Sequence, residues 1–282
     1  MMLNTPFFNQ PVSLALADWR LPVSGSEAVR FCAEHHIKAL QMDFGGPGRS
    51  PSLNDLKRQE ATLEACAKYG IHIIALAGNQ LNDIGLGSKL NRYEVQKLKK
   101  LIISILDTAY YFSVPLVFFP SFHKGIIRDE ATLMRTAKML RWVCQEAKDR
   151  RLCLGNENDL SIVWAKRLAA EINADNFCFI FDSYNPIKAE ISVSKLLNEM
   201  GDYFAPQVHI KDGFYGEVGH TMLGSGDGEL TATLAILNQA GWVKNYVLEN
   251  DYRDGNLARL KSDLTWITHY FITQNTIRDI SC

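Results

Sequence analysis

The six cysteines of this chain, at 32, 66, 144, 153, 178 and 282, include no Cys-x-x-Cys pair and fall mostly inside apolar segments. That spacing gives neither a zinc knuckle nor a disulfide framework, so they are expected to be reduced packing residues of a cytoplasmic protein. An excess of charge is equally lacking: 30 basic residues face 31 acidic ones, for a net charge of −1. Without a global field the chain has no means to concentrate nucleic acid or anionic lipid, and a small-molecule partner is expected. No apolar run is long and clean enough to span a bilayer. The best candidate, "LIISILDTAYYFSVPLVFFP" at 101–120, is interrupted by Asp107 and by Ser113, Val114 and Pro115, which makes it a helix end followed by a strand. The first residues, "MMLNTPFFNQP", lack the basic head and apolar stretch of a secretory leader. Linkers, low-complexity tracts and composition shifts are missing too, and 1–282 is expected to form a single domain.

What the chain does have is a repeat. Short runs with the length and β-branched content of strands recur at 12–18, 37–43, 71–78, 114–120, 152–158, 177–183, 207–212 and 246–251. Each is continuous rather than alternating, as strands buried on both faces should be. Helical spacing fills the intervals, at 26–36, 54–69, 91–112, 129–150, 161–173, 191–204, 229–240 and 256–271. Ser24 with Glu27 and Ser52 with Asp55 read as N-terminal caps, and Gly70 and Gly241 as stops. Strand starts lie about 33 residues apart, the size of one βα unit. Eight such units predict an α/β fold, a (β/α)8 barrel rather than an open sheet, and 282 residues with 47% apolar content can bury such a core. The long connections "FGGPGRSPSLN", "NQLNDIGLGSKL" and "GFYGEVGHTMLGSGDG" all follow strands, which gathers them over one face of the barrel.

On that face four successive strands end in Glu157, Asp182, His209 and Glu249. Singly, each has an ordinary use: Asp182 can cap the turn at Tyr184, Asn185 and Pro186, and His209 can be a hydrogen-bonded core histidine. Jointly they pose a problem, because three carboxylates in an apolar barrel mouth repel one another and lose hydration. One divalent metal ion resolves the conflict. Oxygen-rich ligation with a single imidazole suits manganese, magnesium, cobalt or iron better than a structural zinc, with zinc a further alternative.

The segments "LGNEND", "IFDSYNP", "VHIKDG", "LGSGDGEL" and "VLEND", in this order, resemble the sugar isomerase/epimerase superfamily built on the xylose isomerase-like TIM barrel. That superfamily also includes ketose 3-epimerases, inosose dehydratases and endonuclease IV type DNA repair enzymes. The resemblance implies a metal-dependent isomerase or epimerase of a sugar or sugar phosphate, in which Glu157, Asp182, His209 and Glu249 hold one ion and Glu157 and Glu249 double as acid and base on opposite faces of the sugar. The ion would polarise the carbonyl and stabilise a cis-enediolate while one glutamate removes a proton and the other returns one. A homo-oligomer, dimer or tetramer, is implied as well. The chain departs from the family pattern at four places: Glu157-Asn158-Asp159 stands where many members have Glu-Asn-His, and Gln41 where many have glutamate. Asn185 and Tyr215 stand where ketose 3-epimerases often have histidine and arginine.

Three further residues are expected at the pocket. Asn185 lines the substrate cavity or serves the turn before Pro186; Lys211 neutralises an enediolate oxygen or pairs with Asp212; and His123, after the fourth strand, contacts a sugar hydroxyl or stays a solvated loop residue. Asp18 and Trp19 end the first strand, where the indole can wall a sugar ring or pack in the core. Gly224, Gly226 and Gly228 invite a phosphate cradle, against which Asp227 and Glu229 argue, while Lys124, Arg128 and Arg49 are alternative phosphate contacts. An inosose-type dehydratase acting through the same site is the nearest rival reading. A DNA repair enzyme fits poorly with near-zero charge and seven histidines, of which His35, His36, His72 and His269 lie away from strand ends. A non-catalytic sugar binder would have no need of a costly carboxylate cluster.

Overall fold

In the computed structural model, which describes residues 12–274, the eight apolar runs form parallel strands. These are β1 Ser13–Ala17, β2 Ala39–Asp43, β3 His72–Ala77, β4 Leu116–Pro120, β5 Cys153–Glu157, β6 Phe177–Asp182, β7 Phe204–Ile210 and β8 Asn245–Leu248. Each pairs with its sequence neighbours, and β8 closes the barrel on β1, with Ser13 opposite Asn245 and Leu16 opposite Leu248. The readings of the leader region and of Cys282 lie outside the described residues.

The helices that alternate with the strands are α1 Ser26–Glu34, α2 Leu56–Tyr69, α3 Arg92–Tyr111, α4 Glu130–Lys148, α5 Ile162–Ile172, α6 Val193–Met200, α7 Leu230–Ala240 and α8 Leu257–Thr273, with single turns at Leu81–Ile84 and Asn185–Lys188 in the connections. The apolar run at 101–120 divides between α3 and β4, and among the described residues no helix is long and apolar enough to cross a membrane. The five described cysteines are free, and burial pushes the Cys144 thiol up to about 12, which leaves it chemically inert.

Several boundaries differ from expectation, two of them for identifiable reasons. β7 begins at Phe204 instead of 207, since Phe204 already stands opposite Phe179, and the register shift between Phe179 and Phe181 accommodates Pro206, which has no N–H to offer a ladder. The cap of α1 is Gly25, at φ 62°, not Ser24, whose hydroxyl accepts from Arg58 Nη2 at 2.9 Å. The cap of α2 is Asp55 itself, accepting from the Arg58 N–H at 3.1 Å. Gly70 and Gly241 end their helices in the left-handed conformation, as the sequence implies.

The core has one large cluster and two small ones, the small pair bridged by Trp19. The large cluster fills the space between strands and helices, and the small pair lies inside the barrel, where Ala15, Ala17, Ala39, Ala75, Ala77, Leu116, Phe118, Cys178, Ile180, Ala205 and Val247 meet. Gly155 belongs to this tight interior, since a Cβ there would stand 2.9 Å from both Ile180 Cδ1 and Phe118 Cβ. Strand side chains alternate with period two. Two residues beyond Ile180 on the same face is Asp182, two beyond Gly155 is Glu157, two beyond Val247 is Glu249, and four beyond Ala205 is His209. The apolar floor of the barrel thus turns polar at the strand ends.

The long connection after β7 is organised by one buried carboxylate. Asp212 accepts from the N–H groups of Gly213 at 2.9 Å, Gly224 at 2.9 Å, Gly226 at 3.0 Å and Gly228 at 3.4 Å. The glycine-rich loop is therefore an anion cradle already filled from within the chain, and a Cβ at Gly226 would meet Asp212 Oδ1 at 2.2 Å. Replacing Asp212 with alanine orphans these donors and is expected to cost roughly 3 kcal/mol or more of unfolding free energy. Urea denaturation checks this, and a loss below about 1 kcal/mol would contradict the role.

Candidate metal centre at the strand ends

Glu157, Asp182, His209 and Glu249 converge at the mouth of the barrel. One ligand atom from each lies within 4.8 Å of all the others, and all four residues are buried. Register explains the meeting: Asp182 stands directly opposite His209 across β6 and β7, and Val247 opposite His209 on the other side, two residues before Glu249.

The orientation of His209 is dictated from the barrel floor. The Ile74 carbonyl can only accept, so the Gln207 amide nitrogen must face it, at 2.8 Å. That turns Gln207 Oε1 toward Gln41 Nε2 at 2.9 Å, which in turn presents Gln41 Oε1 to His209 Nε2 at 2.8 Å. Nε2 therefore carries the proton. Nδ1 points at Glu157 Oε1, 3.4 Å away, and Glu249 Oε2, 3.7 Å away, and it is a buried nitrogen with no hydrogen-bond partner. Burial works against a charged ring, but Glu157, Glu249 and Asp182 outweigh it and raise the imidazole's affinity for a second proton. A cation entering the cluster competes with that proton at an atom already aimed toward it. Removing the Gln41 amide with Gln41→Ala frees the ring to turn, and a metal affinity weaker by about 10- to 100-fold is expected. Calorimetric metal titration together with 15N NMR of the His209 tautomer tests this, since a merely structural loss would leave the tautomer unchanged.

The carboxylates are held unequally. Asp182 Oδ1 accepts from the N–H groups of Tyr184 at 2.8 Å and Asn185 at 2.7 Å, so the turn-capping use is real. Its Oδ2 has no hydrogen bond of good geometry, although Lys211 Nζ stands 2.9 Å away. Asp182 thus caps with one oxygen and offers the other to the cluster. Glu249 Oε1 accepts from Trp19 Nε1 at 2.9 Å and Arg20 Nη2 at 3.3 Å, and its Oε2 from Lys211 Nζ at 3.0 Å. Burial alone would raise the Glu249 carboxyl, but Lys211, Arg20 and His209 hold it well below the usual range. Burial also raises Asp182, with Lys211 opposing. Glu157 has lighter company, the Asn185 amide at 3.2 Å and the His209 ring.

Among the other expected pocket residues, Asn185 both serves its turn and touches Glu157, while Lys211 pairs with Asp182 and Glu249 and not with Asp212, whose carboxylate is occupied by the glycine loop. Its ammonium is held charged, since the attraction of Asp182 and Glu249 outweighs the cost of burial. His123 is exposed in the turn His123–Gly125 after β4, outside the cluster. Trp19 takes the packing use, its ring edge-on against Phe118 and His209, and adds one the sequence did not suggest, an indole N–H bond to Glu249. Three contributors escaped the sequence reading: Gln207, Arg20 and the orienting use of Gln41. The two glutamines left a trace, because an amide inside an apolar strand needs a buried partner.

These features fit a divalent ion: an unpartnered imidazole nitrogen and three carboxylates gathered in one buried pocket. A family model described as xylose isomerase-like TIM barrel matches residues 29–270. The chain is 36% identical over 254 residues to a 2-epi-5-epi-valiolone 7-phosphate 2-epimerase of Actinoplanes sp., covering 90% of this chain and 92% of that protein. Of solved structures, an L-ribulose 3-epimerase superposes with a TM-score of 0.74 at 15% identity, over 93% of this chain and 95% of that one. The IOLI protein, solved with a zinc atom bound, also gives a TM-score of 0.74 at 14% identity, over 92% of this chain and 98% of that one. At these identities the structures speak for the fold alone, and the extent of the sequence match speaks for kinship: the chain belongs to the xylose isomerase-like TIM barrel family.

Proposed function

We propose that this protein is a divalent-metal-dependent epimerase of a sugar phosphate or a closely related phosphorylated polyol ketone, inverting a carbon beside the carbonyl. The observation that carries the reading is the pair Glu157 and Glu249, which flank the unpartnered Nδ1 of His209 within one buried group of four ligands. The phosphorylated ketone named for the 36% identical relative supports the substrate class.

A proton beside a ketone is too weakly acidic for an unaided carboxylate, and a bound ion, manganese in our reading, supplies the Lewis acidity that makes it removable. The chain supplies the rest. One glutamate takes the proton from one face of the substrate, and the other delivers a proton to the opposite face, so configuration inverts. Asn185 steadies Glu157, and Trp19 with Arg20 steadies Glu249, which keeps each carboxylate oriented for transfer. Lys211, buried between Asp182 and Glu249, places a positive charge where negative charge develops on substrate oxygen.

The test is incubation of manganese-loaded protein with 2-epi-5-epi-valiolone 7-phosphate and a ketose phosphate panel in deuterium oxide. Inversion with one deuterium incorporated at the inverted carbon is expected. Loss of water from the substrate would convert the reading to a dehydratase, and the absence of both would overturn it.

A further inference from the structure

Trp19, whose indole binds Glu249, is also a wall of a separate cavity of about 320 Å3 at the ends of β1 and β2. Ser24, Asp43, Arg49, Ser50 and Arg253 line the same space. Its volume lies in the range of pockets that hold small ligands. Two guanidinium groups and two hydroxyls face two carboxyls, Asp18 and Asp43, and those carboxyls are engaged by the backbone. Asp18 Oδ1 accepts from the Asp43 N–H at 2.7 Å, and Asp43 Oδ1 from the Asn79 N–H at 3.2 Å. Burial pushes the Asp43 carboxyl up to about 6, with Arg49 opposing the rise, and Asp18, beside Asp43, well above the usual range.

Arg49 is the feature that calls for a ligand. It lies on a tight turn in which its own N–H binds the Gly46 carbonyl at 3.0 Å and the Gly46 N–H binds the Ser50 carbonyl at 2.9 Å. Its Nη2 meets Asp83 Oδ2 at 3.0 Å, but its Nε is buried with no hydrogen-bond partner. A buried guanidinium N–H without an acceptor is costly, and an anionic oxygen beside it would remove the cost. Arg253, held by Asp251, stands on the rim with its side chain 59% exposed. The other cations considered from sequence, Lys124 and Arg128, are exposed in the connection after β4 and do not line this cavity.

We propose that this cavity receives the phosphate group of the substrate, with Arg49 as its principal contact and Ser24, Ser50 and Arg253 as supporting donors, so that a phosphorylated polyol spans from there past Trp19 to the ligand cluster. The inference deepens the epimerase reading and rests on it for the identity of the substrate, but phosphate binding can be measured without turnover.

Calorimetric titration of inorganic phosphate into the full-length, manganese-loaded protein is the test. Saturable binding is expected, weakened about tenfold or more by Arg49→Ala and unchanged by Lys124→Ala or Arg128→Ala. Arg49→Lys, which keeps the charge but loses the fork, is expected to fall between and guards against a folding defect in the alanine variant. No binding to the unaltered protein, or equal binding by both Arg49 variants and the unaltered protein, overturns the proposal. Phosphate binding through Arg49 in a protein that exchanges deuterium into no phosphorylated ketone would sink the epimerase reading and leave the anion site standing.

Discussion

Glu157→Gln and Glu249→Gln are each expected to abolish inversion, with kcat reduced by about 10³-fold or more, while the surviving glutamate still exchanges deuterium on its own face of the substrate. In the proposed mechanism the reason is the division of labour across two faces. An amide neither accepts nor returns a proton, and it is a poorer ligand than a carboxylate. Because both glutamates belong to the proposed ligand set, the loss of rate alone would not separate proton transfer from metal binding. Exchange without inversion does separate them, since it requires a bound, activated substrate with one working base. Asp182→Asn provides the contrast: it weakens ligation without removing either base, so exchange and inversion should fall together. Retention of inversion within about tenfold in both glutamine variants would refute the two-base arrangement.

Removal of the proposed metal is expected to have the second large effect. Dialysis against a chelator is expected to abolish activity completely while leaving the far-ultraviolet circular dichroism unchanged, and manganese should restore the activity. The fold survives because the cluster is not left as three bare carboxylates. Lys211 Nζ pairs with Asp182 and Glu249, and Arg20 pairs with Glu249, which compensates much of the negative charge when no ion is bound. Stability should nevertheless rise with added ion by mass action, by about 4 kcal/mol at a thousandfold excess over the dissociation constant. Thermal unfolding across a manganese series measures this. Full activity in protein shown by elemental analysis to be metal-free would end the metal-dependent reading.

The barrel was legible because its signals are local. Continuous apolar runs, caps such as Asp55, and stops such as Gly70 and Gly241 each act within a few residues, and their repetition at βα spacing leaves one way to close eight parallel strands. The meeting of Glu157, Asp182, His209 and Glu249 was legible for the same reason, since each lies at the same end of its strand and strand alternation puts them on one face. Where local rules competed with distant partners, they misjudged the outcome. Ser24 was expected to cap α1, but it instead accepts from Arg58, a residue of the following helix.

From the sequence alone came the strand count, the order of the helices and the four side chains that converge. Only tertiary structure decided how those side chains are aimed and balanced. The Trp19 bond to Glu249 joins residues 230 positions apart and exists because β8 closes on β1. The Gln41 grip on His209 spans 168 positions across the barrel interior. Lys211 chose Asp182 and Glu249 over its neighbour Asp212 because four glycine N–H groups had already claimed that neighbour. Periodicity assigns a residue to a face, but a buried polar atom takes its partner from whatever the closed fold brings within reach.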